Sequence, residues 1–223
     1  MTATAQMPTI SIRQHAEAIG RLDYPADKLQ PFGRDHLSLC CRLPNDISES
    51  NINQMRLTAC AKEPWTIAAI EAMQPGEIMW DIGACVGSYT LVAAARGHLV
   101  VAFEPVESNY HALITNVLLN NLSGYVIPQP VALANDTGHL ILHQRTTFPG
   151  SAANTLEPHA KHDCFHRYPV SVWKADVLAE LLHLPLPHLV KLDVDGAEAQ
   201  VLAGMAGILA TPPAPPARRC GSR

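Results

Sequence analysis

From Glu63 to Leu209 the chain alternates short apolar runs with stretches whose apolar residues recur at helical spacing. Pro64 suits a first helical turn, and Ile67, Ile70 and Met73 follow until Pro75-Gly76 stops them. Ile78–Ile82 predicts a strand that ends in Gly83, and Ser88–Arg96 a helix closed by Gly97. His98–Phe103 reads as a strand buried on both faces. Glu107–Asn121 reads as a helix with Tyr110, Leu113, Val117 and Leu118 on one stripe. Tyr125–Ile127 predicts a third strand. Leu140–His143 and Pro169–Trp173 predict extra strands around the Gly/Ser/Pro-rich stretch Pro149 to Asn154. Then come a helix at Ala175–Leu182, an apolar strand at His188–Val194 and a single helix at Ala197–Leu209. Strands separated by helices predict an α/β fold, a parallel sheet with flanking helices and right-handed crossovers. Residues 1–62 are more polar and are interrupted by Pro8, Pro25 and Pro31, so they read as an N-terminal extension or cap. Within them, residues 36–43 read as a strand of a small antiparallel unit.

Composition narrows this picture. The chain has 223 residues, 48% hydrophobic and 16% charged, enough to bury one domain's core and too apolar for wholesale disorder. A net charge of -4 offers no basic excess for nucleic acid or an anionic membrane surface. Apolar runs such as Leu91 to Ala95 fall far below the roughly 18 residues that span a bilayer. The first residues lack a positive start followed by an apolar stretch, which predicts no secretory signal and a cytoplasmic protein. The six cysteines form no CxxC pair and read as reduced thiols.

The chemistry concentrates in Trp80 to Ser88, where a strand runs into two glycines four apart and then into a helix. Gly83 permits a tight turn and close approach of a ligand, and Gly87 lets the helix start against the sheet. The helix N-terminus adds unpaired N–H groups and partial positive charge. Glu104, 23 positions after Asp81, ends the next strand, where a carboxylate accepts two hydrogen bonds from a ribose diol. A nicotinamide loop reads G-x-G-x-x-G and a P-loop reads G-x-x-x-x-G-K-[ST]; Gly83-Ala84-Cys85-Val86-Gly87 is neither. Asp81 is awkward beside a pyrophosphate and suited to the ammonium of an amino acid. S-adenosylmethionine, with ribose, adenine, an amino acid and no phosphate, fits these features. A second acidic group, Lys191 to Glu198, closes a later strand at Asp193 and turns at Gly196. Asp193 there can orient or deprotonate an acceptor hydroxyl, or hold a metal that does so. Glu198 reads equally well as a helix N-terminal acid favoured by the dipole.

On these residues the sequence resembles the FkbM-type methyltransferases of the Rossmann-like, S-adenosylmethionine-dependent class. The matching pieces are Glu63-Pro64-Trp65; Asp81 to Ala84 with Val86 to Tyr89; Ala102 to Pro105; Asn109 to Asn121; and Lys191 to Glu198 with Val201 to Gly204. The resemblance implies a cofactor-binding set of Asp81, Gly83, Ala84, Gly87 and Glu104, with the backbone near Val131 and Ala132 facing the adenine. It implies O-methylation of a hydroxyl on a small molecule or sugar and Asp193 as catalytic residue; no residue is assigned as a metal ligand. Cys85 stands where Asn is common in the family and Asp195 where Glu is common.

The resemblance also implies the sheet order 3-2-1-4-5-7-6, with the strand ending at Asp193 as the fourth. After its helix the chain reads Thr211-Pro212-Pro213-Ala214-Pro215-Pro216, and prolines are almost excluded from central strands. The expectation is therefore three parts: a cap (1–62), an incomplete cofactor-binding domain (63–210) and a Pro/Arg-rich irregular tail (211–223). On this expectation the last strands are missing and the fourth is left as an exposed sheet edge; the alternative is a short family member whose edge is covered by its N-terminal segment or by a partner chain, such as a second copy in a homo-oligomer. A binding module or gene remnant that keeps the cofactor loop without strong catalysis is the alternative reading. Among other signals, His162, Cys164 and His166 share a face if their segment is a strand, but no companion cluster supports a metal. Asn116, mid-helix, is expected to face solvent, and Tyr89 to pack behind the glycine loop.

Overall fold

The computed structural model describes residues 58–151, 154–156, 164–211 and 213, together with the backbone of 29–32 and 37–40. Most of the expected cap and of the Pro/Arg-rich tail, with His162 of the histidine cluster, lies outside the described residues. Cap strands β1 (Leu29–Phe32) and β2 (Leu37–Cys40) pair antiparallel, Phe32 opposite Leu37, so the strand expected at 36–43 has its partner immediately upstream.

The main sheet contains β3 (Ile78–Ile82), β4 (Leu99–Phe103), β5 (Val126–Gln129) and β10 (Leu189–Leu192), all parallel, in the order β10-β3-β4-β5. This is the arrangement 3-2-1-4 implied by the resemblance for its first four strands. Side chains alternate across β3 and β4 as a strand's period of two requires. Met79, Val100 and Ala102 face one layer; Trp80, Ile82, Val101 and Phe103 face the other. The first layer holds helices α2 (Pro64–Ala72), α3 (Ser88–Ala95) and α4 (Glu107–Leu119), with α1 (Ala59–Lys62) leading into α2. The second holds α5 (Ala175–Leu182), α6 (Glu198–Gly204) and α7 (Ala206–Ala210). The helix expected over 197–209 is thus two helices that break at Met205, a fully buried residue. Trp80 and Phe103 meet across adjacent strands, ring centroids 5.1 Å apart and tilted, which adds about 1 kcal/mol beyond the area they bury.

Between β5 and α5 the chain builds a second sheet of β6 (Ala132–Leu133), β7 (Gly138–Gln144), β8 (Thr155–Leu156) and β9 (His166–Trp173), in the order β6-β9-β7-β8. Pro169 lies inside β9 and pairs only with Ile141, because β6 reaches no further than Val172 and Trp173. Pro169 therefore sits where β9 is locally an edge, the one place a ladder tolerates it. β10 is the opposite case. Among the described residues it is hydrogen-bonded on one side only, and all four of its residues are half-buried while β3 and β4 are buried over four of five positions. No helix among the described residues is long and apolar enough to cross a membrane.

Candidate functional site

The carboxyl ends of β3, β4 and β10 open into one cleft, where ligands of open α/β sheets bind. Between its walls lie about 1170 Å³ of space, the open mouth included. Gly83, Ala84, Glu104, Val131, Ala132 and Asp193 all line it, so six of the eight residues expected at the site meet there.

The glycine loop is built by backbone constraint. Gly83 has φ 79, and a Cβ there would collide with the carbonyl of Asp193, so only glycine lets β3 and β10 end side by side. Gly87 has φ 90 and abuts Leu113 of α4; it sets the start of α3 and does not line the cleft. Asn116 corrects the sequence expectation: it is fully buried and its Nδ2 donates to the Val86 carbonyl at 2.8 Å, fastening the loop from behind. Its place one turn past Leu113, on the buried stripe of α4, was the available signal.

Glu104 is almost wholly buried, and each of its oxygens accepts a backbone N–H at 2.8 Å, Oε2 from Cys85 and Oε1 from Val106. The acid at the end of β4 therefore ties down the glycine loop at the end of β3. Burial pushes its pKa up to about 7, against the pull of those N–H groups, Asn109 and Lys191. A carboxylate so placed keeps lone pairs for further donors, and hydroxyl donors favour its charged form.

Asp81 stands differently from expectation. It is fully buried, takes no part in lining the cleft, accepts Thr90 Oγ1 at 2.6 Å, and has the Lys191 ammonium 3.4 Å from Oδ1. Oδ1 has no well-directed hydrogen bond besides that ion pair. The ammonium that Asp81 meets is thus a lysine's. Lys191 Nζ also donates to the Gly83 carbonyl at 3.1 Å, lies 3.6 Å from Asp193 Oδ2 and sits 5.4 Å from the centroid of the Tyr89 ring. Burial works against its charge, but Asp81 and Asp193 more than restore it and its pKa ends above the ordinary lysine range. The register explains the meeting, since Lys191 pairs directly with Asp81 across β10 and β3. Sequence reasoning passed over Lys191; the signal was a lone charge inside an otherwise apolar strand.

At the cleft mouth Asp193 is 57% exposed. Glu198 accepts the N–H groups of Val194 and Gly196, both at 3.2 Å, and does not line the cleft; despite some desolvation these bonds pull its pKa down. It is the helix N-terminal acid of the blander expectation. Tyr89 lines the cleft and packs behind the loop at once, its hydroxyl donating to the Ala59 carbonyl at 3.2 Å, with its pKa raised chiefly by burial. Cys164 lies just before β9 and accepts from Arg167 Nε at 3.0 Å; among the described residues no group of three His, Cys, Asp or Glu has the geometry of a metal site.

A parallel α/β sheet with a glycine turn and a buried acid at the ends of adjacent central strands defines a Rossmann-like domain of the methyltransferase class. Residues 81–212 match the methyltransferase FkbM domain, well over half of the chain, and the chain belongs to that family. The chain is 26% identical over 140 residues to the hexuronic acid methyltransferase AglP of Haloferax volcanii, a match covering 63% of this chain and 54% of that protein. It therefore spans about half the length of that relative. Among solved structures, a precorrin-6y C5,15-methyltransferase from Geobacter metallireducens is similar at 15% identity and TM-score 0.39, over 78% of this chain and 64% of that one. An S-adenosylmethionine-dependent methyltransferase from Agrobacterium tumefaciens is similar at 15% identity and TM-score 0.35, over 49% and 34%.

Proposed function

We propose that this chain uses S-adenosylmethionine to methylate a hydroxyl on a small-molecule or sugar acceptor. The observation that carries this is the buried Glu104, bonded to the loop that Gly83 opens, facing the same cleft as the exposed Asp193. The bound cofactor supplies a methyl group on a sulfonium, already a strong electrophile. The chain's own task is then to hold and align the acceptor oxygen. In this reading Glu104 receives the ribose diol, the backbone at Gly83 and Ala84 admits the ligand closely, and Val131 and Ala132 border the adenine. Asp193 orients the acceptor hydroxyl and takes its proton, a step a neutral alcohol needs because it is a poor nucleophile. Lys191 holds Asp193 from behind, and Asp81 acts through Lys191. That the Haloferax relative is a hexuronic acid methyltransferase supports a saccharide acceptor.

Calorimetry with S-adenosylmethionine tests the cofactor assignment: the parent chain binds and Glu104→Ala does not. No binding by the parent refutes it. Turnover on hydroxylated sugars, uronic acids included, tests the reaction, with Asp193→Asn expected to lose turnover and keep cofactor affinity. A second reading, a domain that holds the cofactor without turnover, is favoured by β10, which among the described residues is half-buried and hydrogen-bonded on one side only. It predicts binding with no product from any acceptor.

A further inference from the structure

The cleft has a further wall beyond the ends of the central strands. Ser151, Asn154 and Leu156, which belong to the connection between β7 and β8 and to β8 itself, line it together with Glu104 and Asn109. The described part of this connection is held by asparagines. Asn154 Nδ2 donates to the Ser151 carbonyl at 3.1 Å and to Ser151 Oγ at 3.2 Å, and its Oδ1 accepts from Arg145 N at 3.1 Å.

Asn109 joins this wall to Glu104. It lies in the first turn of α4, its residue is only 2% exposed, and its Oδ1 accepts the Gly150 N–H at 2.8 Å. Its Nδ2 faces the Ser151 carbonyl at 3.5 Å, and its side chain stands close enough to Glu104 to favour the charged form of that carboxylate. A buried amide with both ends engaged has little freedom to choose other partners. Gly150 has φ 89, a conformation that suits glycine and presents its N–H to Asn109. A second tie runs parallel, Gln144 Nε2 donating to Ser108 Oγ at 3.3 Å.

We propose that Asn109 is a positioning residue that couples ligand binding at Glu104 to the order of the segment Phe148–Ser151, making that segment part of the cofactor site. The inference rests on the reading of Glu104 as the ribose acceptor. Its physical basis is that a ligand donating hydroxyls to Glu104 holds the carboxylate ionised. An ionised carboxylate attracts the Asn109 N–H more strongly. Fixing Nδ2 fixes Oδ1 on the same rigid plane, and with it the Gly150 N–H. Ser151, brought to the cleft by the same bonds, gives the ligand a polar contact from the second sheet.

Hydrogen exchange with S-adenosylhomocysteine as probe tests this, with calorimetry on the same samples. In the parent chain, saturating probe slows exchange of the Gly150 and Ser151 amides about tenfold. In Asn109→Leu the probe still binds, more weakly, but the protection at 148–151 disappears while the amides of β7 and β9 exchange as in the parent. Asn109→Ser, smaller and polar, serves the same purpose if the leucine variant does not fold. Equal protection in parent and variant overturns the coupling, as does binding by the parent with no protection of the segment. Absence of any binding heat in the parent overturns the ribose assignment of Glu104 itself, a different result from either.

Discussion

Glu104→Gln is the most searching single substitution. Burial raises the Glu104 pKa from 4.5 to about 7, outweighing two backbone N–H bonds of 2.8 Å. The unfolded chain gives up this proton near 4.5, whereas the folded chain keeps it to about 7, so the folded state binds more protons between those values. The stabilisation is fully present below pH 4.5, is lost as pH rises through about 7, and stays lost above that. The whole effect amounts to about 3 kcal/mol, of which about 2.5 kcal/mol falls between pH 5 and pH 8. Glutamine does not titrate. Its NH₂ meets one of the two N–H donors that the carboxylate accepted, a cost that is the same at every pH. The quantity to follow is therefore the difference in unfolding free energy between variant and parent, from urea titrations read by the fluorescence of the buried Trp80. It moves in favour of the variant by about 2.5 kcal/mol from pH 5 to pH 8. Titration of His98 and of other groups is common to both chains and cancels. A difference that stays flat within about 1 kcal/mol would refute the claim that a buried, reluctantly ionised carboxylate sits at this strand end. The same linkage reaches function: hydroxyl donors favour the charged form, so S-adenosylhomocysteine affinity of the parent rises by up to about tenfold per pH unit below pH 7, while Glu104→Gln binds weakly and without that slope.

Three further outcomes follow from the site. Lys191→Met leaves the carboxylate of Asp81 buried and unpaired, costing about 3–5 kcal/mol, and Lys191→Met with Asp81→Asn recovers most of that in denaturant titrations; coupling below about 1 kcal/mol contradicts the ion pair. Gly83→Ala forces a Cβ onto the Asp193 carbonyl at φ 79, which lowers stability by about 3 kcal/mol and abolishes cofactor binding; unchanged melting means the two strand ends do not meet as described. Cys85→Gly relieves a non-glycine residue at φ 54 and raises the melting temperature by about 3 °C, whereas a lower melting temperature shows that its side-chain packing outweighs the strain.

The main sheet was legible because each of its strands is a short, largely apolar run closed by a glycine, proline or acid, and such runs signal themselves locally. The two-residue strands β6 and β8 were not legible. Ala132–Leu133 is a strand only because it meets Val172 and Trp173, some 40 positions later, and nothing local marks it. The break at Met205 was likewise invisible, since 197–209 keeps helical spacing across a residue whose burial is decided by its neighbours.

The site divides along the same line. A strand's end is written in the sequence near it, so Glu104 and Asp193 were found at the cleft, and so was the turn at Gly83. Which partner a side chain meets is written in the register between strands. Asp81 was expected to hold a ligand's ammonium, and an ammonium is what its carboxylate faces, but it belongs to Lys191, its direct neighbour across β10 and β3. Knowing that β10 pairs with β3, and that Leu192 stands opposite Ile82, makes Lys191 and Asp81 same-face neighbours without any further information. The pairing partner of a strand 110 positions away is the one fact that the local pattern does not carry. Lys191 thus stands between the two acids, with Asp81 buried on its far side and Asp193, its exposed counter-ion, as the carboxylate of the pair that lines the cleft.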